Sequence, residues 1–576
     1  MELNKLQLTG EQAVARAIRE CGIEYFFYVE GAVAKLFPTV QKEGVNTILC
    51  RNEMGACCMA DGYSRITNRP SMCFAQHGSA AAILASLMYE PMYSHSPVVA
   101  LTGSIPTTQK DQWRFQECFE MPYFENTCKF SADVTDVIRL PEYIRTATQI
   151  AVSGCPGPTH INMHNDLVEH VAEMPEFVTD EAFRKVPPFR PRAEMGKLVE
   201  AAKLLSNADN PVIICGSGIH ISSAYDELRQ VAELLEIPVA TNYAGKGCFP
   251  ENHPLSIGVV GTYGREVTNQ LVREADVVFF VGTRAGRHMT EEFTAPEPTK
   301  SKIIHLDIDP LSIGRIYKAN VPLVGDAKST LQELLKVIKS TLKGALRERS
   351  RLRFDAIKTY ENKMRSMMES DAIPVKPQRI MKELSAFLKP TDIVVSDTGQ
   401  SICWTTRFLK LSNATRTYLA SGGTLGSSLP LAIGASFAAE KPQRIFNLIG
   451  DGGLAYNISE LETANRYNDE HAPLIVIVNN NSSLAQARPQ LEDWQNNNPP
   501  WINCTDFGDV NYAKIAEGLG CYGVRVDRAS ELEEAIRHSL DCNKPAVIDV
   551  ISDKREYAPI GPMRRNEETF YGVANY

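Results

Sequence analysis

An α/β protein built from three doubly wound parallel-sheet domains is what the sequence predicts, on three observations. Short β-branched or aromatic runs alternate with amphipathic stretches along the chain, glycine or polar turns separate them, and 576 residues exceed what one core serves. Strands that read as continuous apolar runs between helices imply sheets covered on both faces.

The elements follow in order. Thr9 caps a first helix with Gln12 three residues on; Val14, Ala17, Ile18 and Cys21 share one face, and Gly22 ends it. Strand-length runs fall at 26–29, 47–50, 72–75, 97–103, 211–216, 276–282, 302–309, 392–397, 444–450, 474–480 and 546–552. Residues 174–192, rich in proline and charge, read as a strandless linker, and 339–373, dense in Lys, Arg and Glu, as a solvated helix and connector. The boundaries this implies are a first domain over 1–175, a second over 190–340, a linker helix over 341–373 and a third domain over 374–576. The closing segment 557–576 holds several aromatics and reads equally as a packed tail or a surface extension.

Composition narrows the function classes. Hydrophobic residues make up 44% and charged residues 22%, an ordinary globular balance. A formal charge of −9 supplies no basic field for nucleic acid or an anionic membrane. Apolar runs stop far short of a membrane span, and the opening MELNKLQLTG leads no basic segment into an apolar one. Fourteen cysteines without a Cys-x-x-Cys pair read as reduced core thiols, which suits a cytoplasmic protein.

One segment carries chemistry. In 444–480 a strand ends at Ile449, Gly450-Asp451-Gly452-Gly453 makes the turn, a helix follows, and a second strand ends at Asn479-Asn480. In a β-α-β unit both turns emerge at the carboxyl edge of the sheet, where α/β proteins bind ligands. Asp451 and an Asn side chain offer oxygens to a hard divalent cation, and Gly452 and Gly453 let backbone N–H groups approach a diphosphate. A Gly-Asp-Gly turn alone is more often only a tight turn with a capping Asp; the asparagine pair on the next strand tips the balance to a metal–diphosphate site.

This spacing resembles the signature of thiamine-diphosphate enzymes, and the order of motifs from Thr9 to about Ser552 resembles their acetolactate synthase-like branch. The resemblance implies a pyrimidine-binding first domain, a central Rossmann-like domain and a diphosphate-binding third domain. It implies magnesium held by Asp451, Asn480 and the carbonyl of Ser482, with a one-residue ambiguity left by the Asn479–Asn481 run. Glu53 stands where the family's activating glutamate stands; by itself it is equally a helix N-terminal Glu favoured by the dipole. Leu425, in SGGTLGSSLPLAIGA, takes the position of the apolar wedge beneath the coenzyme, where acetolactate synthases commonly carry Met. The Gly423 carbonyl is then the acceptor for the pyrimidine amino group, and Gln400 and Ser401 are candidates at the diphosphate.

On the substrate side, His77 is either a proton-transfer group or a satisfied structural histidine, and Gln116, in Phe115-Gln116-Glu117, approaches the substrate in the related carboligases. In the loop Glu30-Gly31-Ala32, Glu30 replaces the family's proline and Ala32 an acid or serine of simple decarboxylases, which argues against ordinary pyruvate decarboxylation. Arg284 and Thr290 fall where acetolactate synthases meet FAD, so the central domain is expected to hold FAD or ADP as a structural group. Glu53 and Asp451 lie so far apart in sequence that one coenzyme spans two domains; the family does this across a subunit interface, which implies a homodimer or homotetramer.

The activity implied is carbon–carbon cleavage and formation on a 2-oxo acid or 1,2-dicarbonyl. Alternatives are a lyase or hydrolase acting on a non-pyruvate substrate such as a cyclic dione, a flavin oxidase, and a catalytically silent binding relative.

Overall fold

The computed structural model describes residues 5–558 apart from 32, 176, 178, 342–351 and 441. Ala32, part of the charged connector and the tail from 559 onward therefore lie outside the described residues. Twenty strands follow in chain order: β1 Lys5–Thr9, β2 Tyr25–Tyr28, β3 Asn46–Leu49, β4 Ser71–Ala75, β5 Val98–Ser104, β6 Ser131–Val134, β7 Thr159–His164, β8 Val171–Pro175, β9 Val212–Cys215, β10 Val239–Thr241, β11 Ser256–Val259, β12 Val277–Val281, β13 Lys302–Asp307, β14 Val321–Val324, β15 Ile393–Ser396, β16 Tyr418–Ala420, β17 Ile445–Gly450, β18 Leu474–Asn480, β19 Tyr522–Val526 and β20 Ala546–Ile551.

They make three six-stranded parallel sheets, in the orders β3-β2-β4-β5-β7-β6, β11-β10-β9-β12-β13-β14 and β16-β15-β17-β18-β20-β19. Numbered from the first strand of each, the middle sheet runs 3-2-1-4-5-6, the doubly wound dinucleotide order. The two flanking sheets both run 2-1-3-4-6-5, so their strand order reverses between their first and third strands. A ligand crevice is expected at each such switch point.

The first helix forms as its sequence dictates. Thr9 Oγ1 accepts from Gln12 N and Gln12 Oε1 from Thr9 N, a complete capping box, and Val14, Ala17, Ile18 and Cys21 are buried. One expectation needs correcting: the strandless linker over 174–192 begins inside β8, which pairs antiparallel with β1. That pairing joins segments more than 160 residues apart in the sequence, and local pattern does not show it.

The first and third domains share one hydrophobic core. Helix Glu53–Thr67 contributes Ala56, Cys57, Cys58, Met59, Ala60 and Tyr63, and helix Ser428–Ala438 contributes Leu429, Leu431, Ala432, Ile433 and Ala435. The crossing is close because glycine stands on both sides: a Cβ on Gly62 would lie 2.1 Å from Leu431 O, and one on Gly434 2.0 Å from Met59 O. All fourteen cysteines are free, ten of them buried.

Candidate active site

The third sheet gathers a cavity of about 710 Å³ at its carboxyl edge. β15 delivers Asp397 to Ser401, β16 delivers Ser421 to Leu425, β17 delivers Gly450 to Gly453, and β18 delivers Asn479 and Asn481. β15 and β17 are the first and third strands of this sheet, so the cavity sits at its switch point. Tyr89 and Tyr93 from the first domain and Tyr243, Tyr263 and His288 from the central domain close it.

Most of the residues singled out in the third domain meet here: Gln400, Ser401, Gly423, Leu425, Asp451, Gly452 and Gly453 all line the cavity. Gly423 has φ +136°, a conformation that favours glycine, and stands at an exposed turn. Gln400 Nε2 donates to Ala485 O at 2.9 Å, which ties the β15 turn to the loop after β18. Burial pushes Asp451 up to about 6, against the pull of backbone N–H donors that include those of Asn481 and Gly452. A buried carboxyl so disposed is poised to take a cation.

The asparagine run divides. Asn480 Nδ2 donates to Asp549 Oδ1 at 2.8 Å and to Val510 O at 3.2 Å, leaving Oδ1 with only the Ser482 amide and hydroxyl at 3.3 and 3.5 Å. Neither Asn480 nor Ser482 is in the cavity wall, and the Ser482 carbonyl already accepts from Phe507 N at 2.7 Å. Asn479 is in the wall, and its buried Oδ1 has no hydrogen-bond partner. A carboxylate, an orphaned amide oxygen and a second lightly engaged one form an oxygen-only set that suits magnesium.

Glu53, His77 and Gln116 do not line this cavity. They belong to the matching edge of the first sheet, where β2, β3 and β4 are neighbours and end just before Gly31, Glu53 and His77 respectively. Asn52 caps the Glu53 helix by accepting from Gly55 N at 2.6 Å, and Glu460 of the third domain accepts from the Arg51 and Asn52 amides. The Glu53 carboxylate is half-buried and has no hydrogen-bond or ion-pair partner among the described residues. Gly31 packs so closely on Gln76 that a Cβ would lie 2.6 Å from its Oε1, whereas Glu30 is exposed. Gln76 Nε2 donates to Gln116 Oε1 at 3.1 Å, and Gln116 has φ +59°.

His77 Nε2 lies 3.3 Å from Phe115 O, so that nitrogen carries the hydrogen, and Nδ1 is buried without a partner. Burial holds this imidazole below its ordinary pKa, partly offset by the Phe115 carbonyl. A neutral ring with a free Nδ1 lone pair is able to accept a proton.

Two residues not proposed from sequence organise the site. Glu90, 1% exposed, accepts from Gly422 N at 2.6 Å and Thr424 N at 2.8 Å, bracketing Gly423 from the first domain. Asp397 accepts from Gly426 N, and burial pushes it up to about 7. A Cβ on Gly453 would fall 2.2 Å from Asp397 Oδ2, so that glycine makes room for the carboxyl. Asp397 stood in a recognisable turn, DTGQS; Glu90 had no local signal at all.

A separate cavity opens on the central sheet, lined by Ser217, Gly218, Gly282, Arg284, Asp307 and Asp326 among others. It adjoins the first cavity through Tyr93 and Tyr243, whose hydroxyls are 2.6 Å apart. Arg284 lies over the Tyr93 ring and donates to its carbonyl, while Thr290 is buried outside this lining and donates to Gly286 O. Among the described residues no helix is long and apolar enough to cross a membrane.

Comparison with known proteins agrees with this geometry. Residues 8–123 match the N-terminal TPP binding domain of thiamine pyrophosphate enzymes, 198–334 their central domain and 397–550 their C-terminal TPP binding domain. The chain is 33% identical to a probable acetolactate synthase large subunit of Methanocaldococcus jannaschii, over 96% of its own length and 94% of the relative's. It is 30% identical to acetolactate synthase large subunits of Buchnera aphidicola, over 92% of each chain, and of Corynebacterium glutamicum, over 97% of its own length and 88% of the relative's.

Proposed function

The chain belongs to the thiamine pyrophosphate enzyme family, and from that premise we propose that it is a thiamine-diphosphate-dependent carboligase of the acetolactate synthase kind. It cleaves beside the carbonyl of a 2-oxo acid and joins the acyl fragment to a second carbonyl compound. The observation that carries this reading is the cavity in which Asp451, Gly452, Gly453, Gln400, Ser401 and Leu425 converge at a switch point.

Bound thiamine diphosphate supplies a nucleophilic thiazolium carbon and an electron sink. The chain's own part is to bind, bend and protonate. Backbone N–H groups at Gly452 and Gly453, with Gln400 and Ser401, hold the diphosphate. Asp451 and Asn480 would hold magnesium, with the Ser482 carbonyl as the third ligand the resemblance implies, although it already accepts from Phe507 N; Asp549 and Val510 take the Asn480 amide hydrogens, so that side chain has only its oxygen to offer. Leu425 and the Gly423 carbonyl, both in the cavity wall, would support the coenzyme and accept from its amino group.

Glu53 would hold a proton at the coenzyme's pyrimidine ring. Its carboxylate is unpartnered and lies outside the diphosphate cavity of its own chain, which supports a second copy completing each site in a homodimer or a homotetramer. His77, whose Nδ1 is unpartnered, would accept a proton there, and Gln116 would orient the substrate. Glu30 and Gly31, on the loop after β2, would border the substrate. The central cavity would take FAD or ADP, with Arg284 and Asp307 at its wall; Asp326 there is already held by Arg190 and Ser222.

Glu53→Gln keeps the shape and removes the proton-holding carboxylate. Turnover is expected to fall by about 10²-fold or more while calorimetry still detects coenzyme binding. Wild-type turnover in that variant removes the mechanism.

A further inference from the structure

The turn that delivers Glu53 is held from another domain. β3 ends at Leu49, and Cys50, Arg51 and Asn52 lead into the helix Glu53–Thr67. Its own sheet holds this turn through Cys50 N, which donates to Tyr28 O at 2.8 Å. Other groups of the turn go to the third domain. Leu49 N donates to Tyr467 Oη at 3.1 Å, and Leu49 O accepts from Arg466 Nη1 at 3.0 Å. Arg51 N and Asn52 N both donate to the Glu460 carboxylate, at 3.1 and 3.0 Å. Asn52 Nδ2 donates to Asn457 Oδ1 at 3.3 Å, and Asn457 Nδ2 donates to Gly426 O at 2.9 Å, in the loop that carries Gly423 and Leu425.

These partners lie together over 457–467, on and beside the helix Glu460–Arg466. That helix is part of the crossover between β17 and β18, the strands whose ends carry Asp451 and Asn480. Glu460 is the centre of the grip. It is fully buried, and its lone pairs are all spoken for: Oε1 accepts from the Asn52 amide, both oxygens lie within 3.2 Å of the Arg51 amide, and Oε2 accepts from Thr463 Oγ1 at 2.7 Å. Burial pushes its pKa up, and the Thr463 hydroxyl and the two amides pull it back. The fit leaves no slack, because a Cβ on Gly55 would lie 2.0 Å from Glu460 Oε1. The Glu53 side chain adds nothing to the grip, having no partner among the described residues. Its place is set by the backbone of the turn, and Glu460 sets that backbone.

We propose that Glu460 is a positioning residue for Glu53, fixing from the third domain where the activating carboxylate stands. The proposal rests on the coenzyme-activating reading of Glu53. Glu460 is 409 residues from Arg51 in the sequence and close to Asp451, yet it is absent from the wall of the diphosphate cavity. It serves the glutamate and not the metal turn. A glutamine in its place keeps one acceptor oxygen and turns an NH2 group towards an amide donor. The turn then has to shift, and a displacement of about 1 Å in a group that must meet its proton squarely costs on the order of 10²-fold. The diphosphate and magnesium contacts stay as they are.

The test uses the full chain loaded with thiamine diphosphate and magnesium. Its readout is the rate at which the thiazolium hydrogen of the bound coenzyme exchanges for deuterium, followed by quenching and proton NMR. That rate reports the activating carboxylate before any substrate is present. Glu460→Gln is expected to slow the exchange about tenfold or more. The coenzyme dissociation constant, by calorimetry, and the far-ultraviolet circular dichroism are expected to stay at wild-type values. Gly55→Ala is expected to slow the exchange likewise with Glu460 intact, because the added methyl pushes the carboxylate off the turn. Wild-type exchange in Glu460→Gln, or in Gly55→Ala where the glutamine variant does not fold, overturns the proposal. So does slower exchange matched by an equal loss of coenzyme affinity, which would assign Glu460 to the diphosphate turn. Wild-type exchange in Glu53→Gln would instead remove the role of Glu53 on which the proposal rests.

Discussion

Asn479, Asn480 and Asn481 show what one residue of register decides. The sequence assigns Asn480 to the metal, whereas the cavity wall holds its two neighbours, which alternation along a strand puts on the opposite face. Asn480 is anchored by Asp549, 69 residues further on, and Asn479 keeps a buried oxygen without a partner. Asn480→Ala is expected to raise the magnesium-dependent dissociation constant of the coenzyme about tenfold or more, with a smaller effect from Asn479→Ala, as titration calorimetry at fixed pH would record. The reverse order would move the ligand to Asn479. Gly-Asp-Gly followed by paired asparagines was legible because a turn and a strand end are local patterns; the choice among three amides was not, because a tertiary hydrogen bond orients them.

The loop between β16 and the helix Ser428–Ala438 is an element held from outside itself. Glu90 accepts two amides that flank Gly423, and a glutamine there has one acceptor oxygen for two donors. The mismatch costs about 1–3 kcal/mol in a buried site. Glu90→Gln is therefore expected to raise the coenzyme dissociation constant about tenfold while leaving the far-ultraviolet circular dichroism unchanged; an unaltered affinity would show that the loop holds its shape alone. The first helix was readable to its capping box, and eleven of the twenty strands were readable from β-branched or aromatic runs. β7 escaped because histidine and asparagine occupy its alternate positions, and β8 because its partner lies at the other end of the domain.

At the scale of the molecule, the flanking sheets carry the same strand order, and Glu53, His77 and Gln116 at the edge of one do not line the cavity of Asp451 at the edge of the other. Sequence order alone showed two half-sites far apart; which copy completes which follows only from where the edges face. If two copies complete each other, mixing Glu53→Gln protein with Asp451→Ala protein after dissociation is expected to restore about a quarter of wild-type activity, since half the dimers are mixed and one site in each is whole. No recovery after confirmed exchange of chains would place both halves of a site in one copy. The crossing at Gly62 and Gly434 then acquires a meaning beyond packing. Backbone meets backbone there with no side chain to absorb a shift, and the helices concerned run from Glu53 at one end and from the Leu425 loop at the other. In such a pair of copies each chain lends its glutamate to one reaction centre and its wedge to the other, so this contact is a stiff mechanical link between two centres that share no substrate.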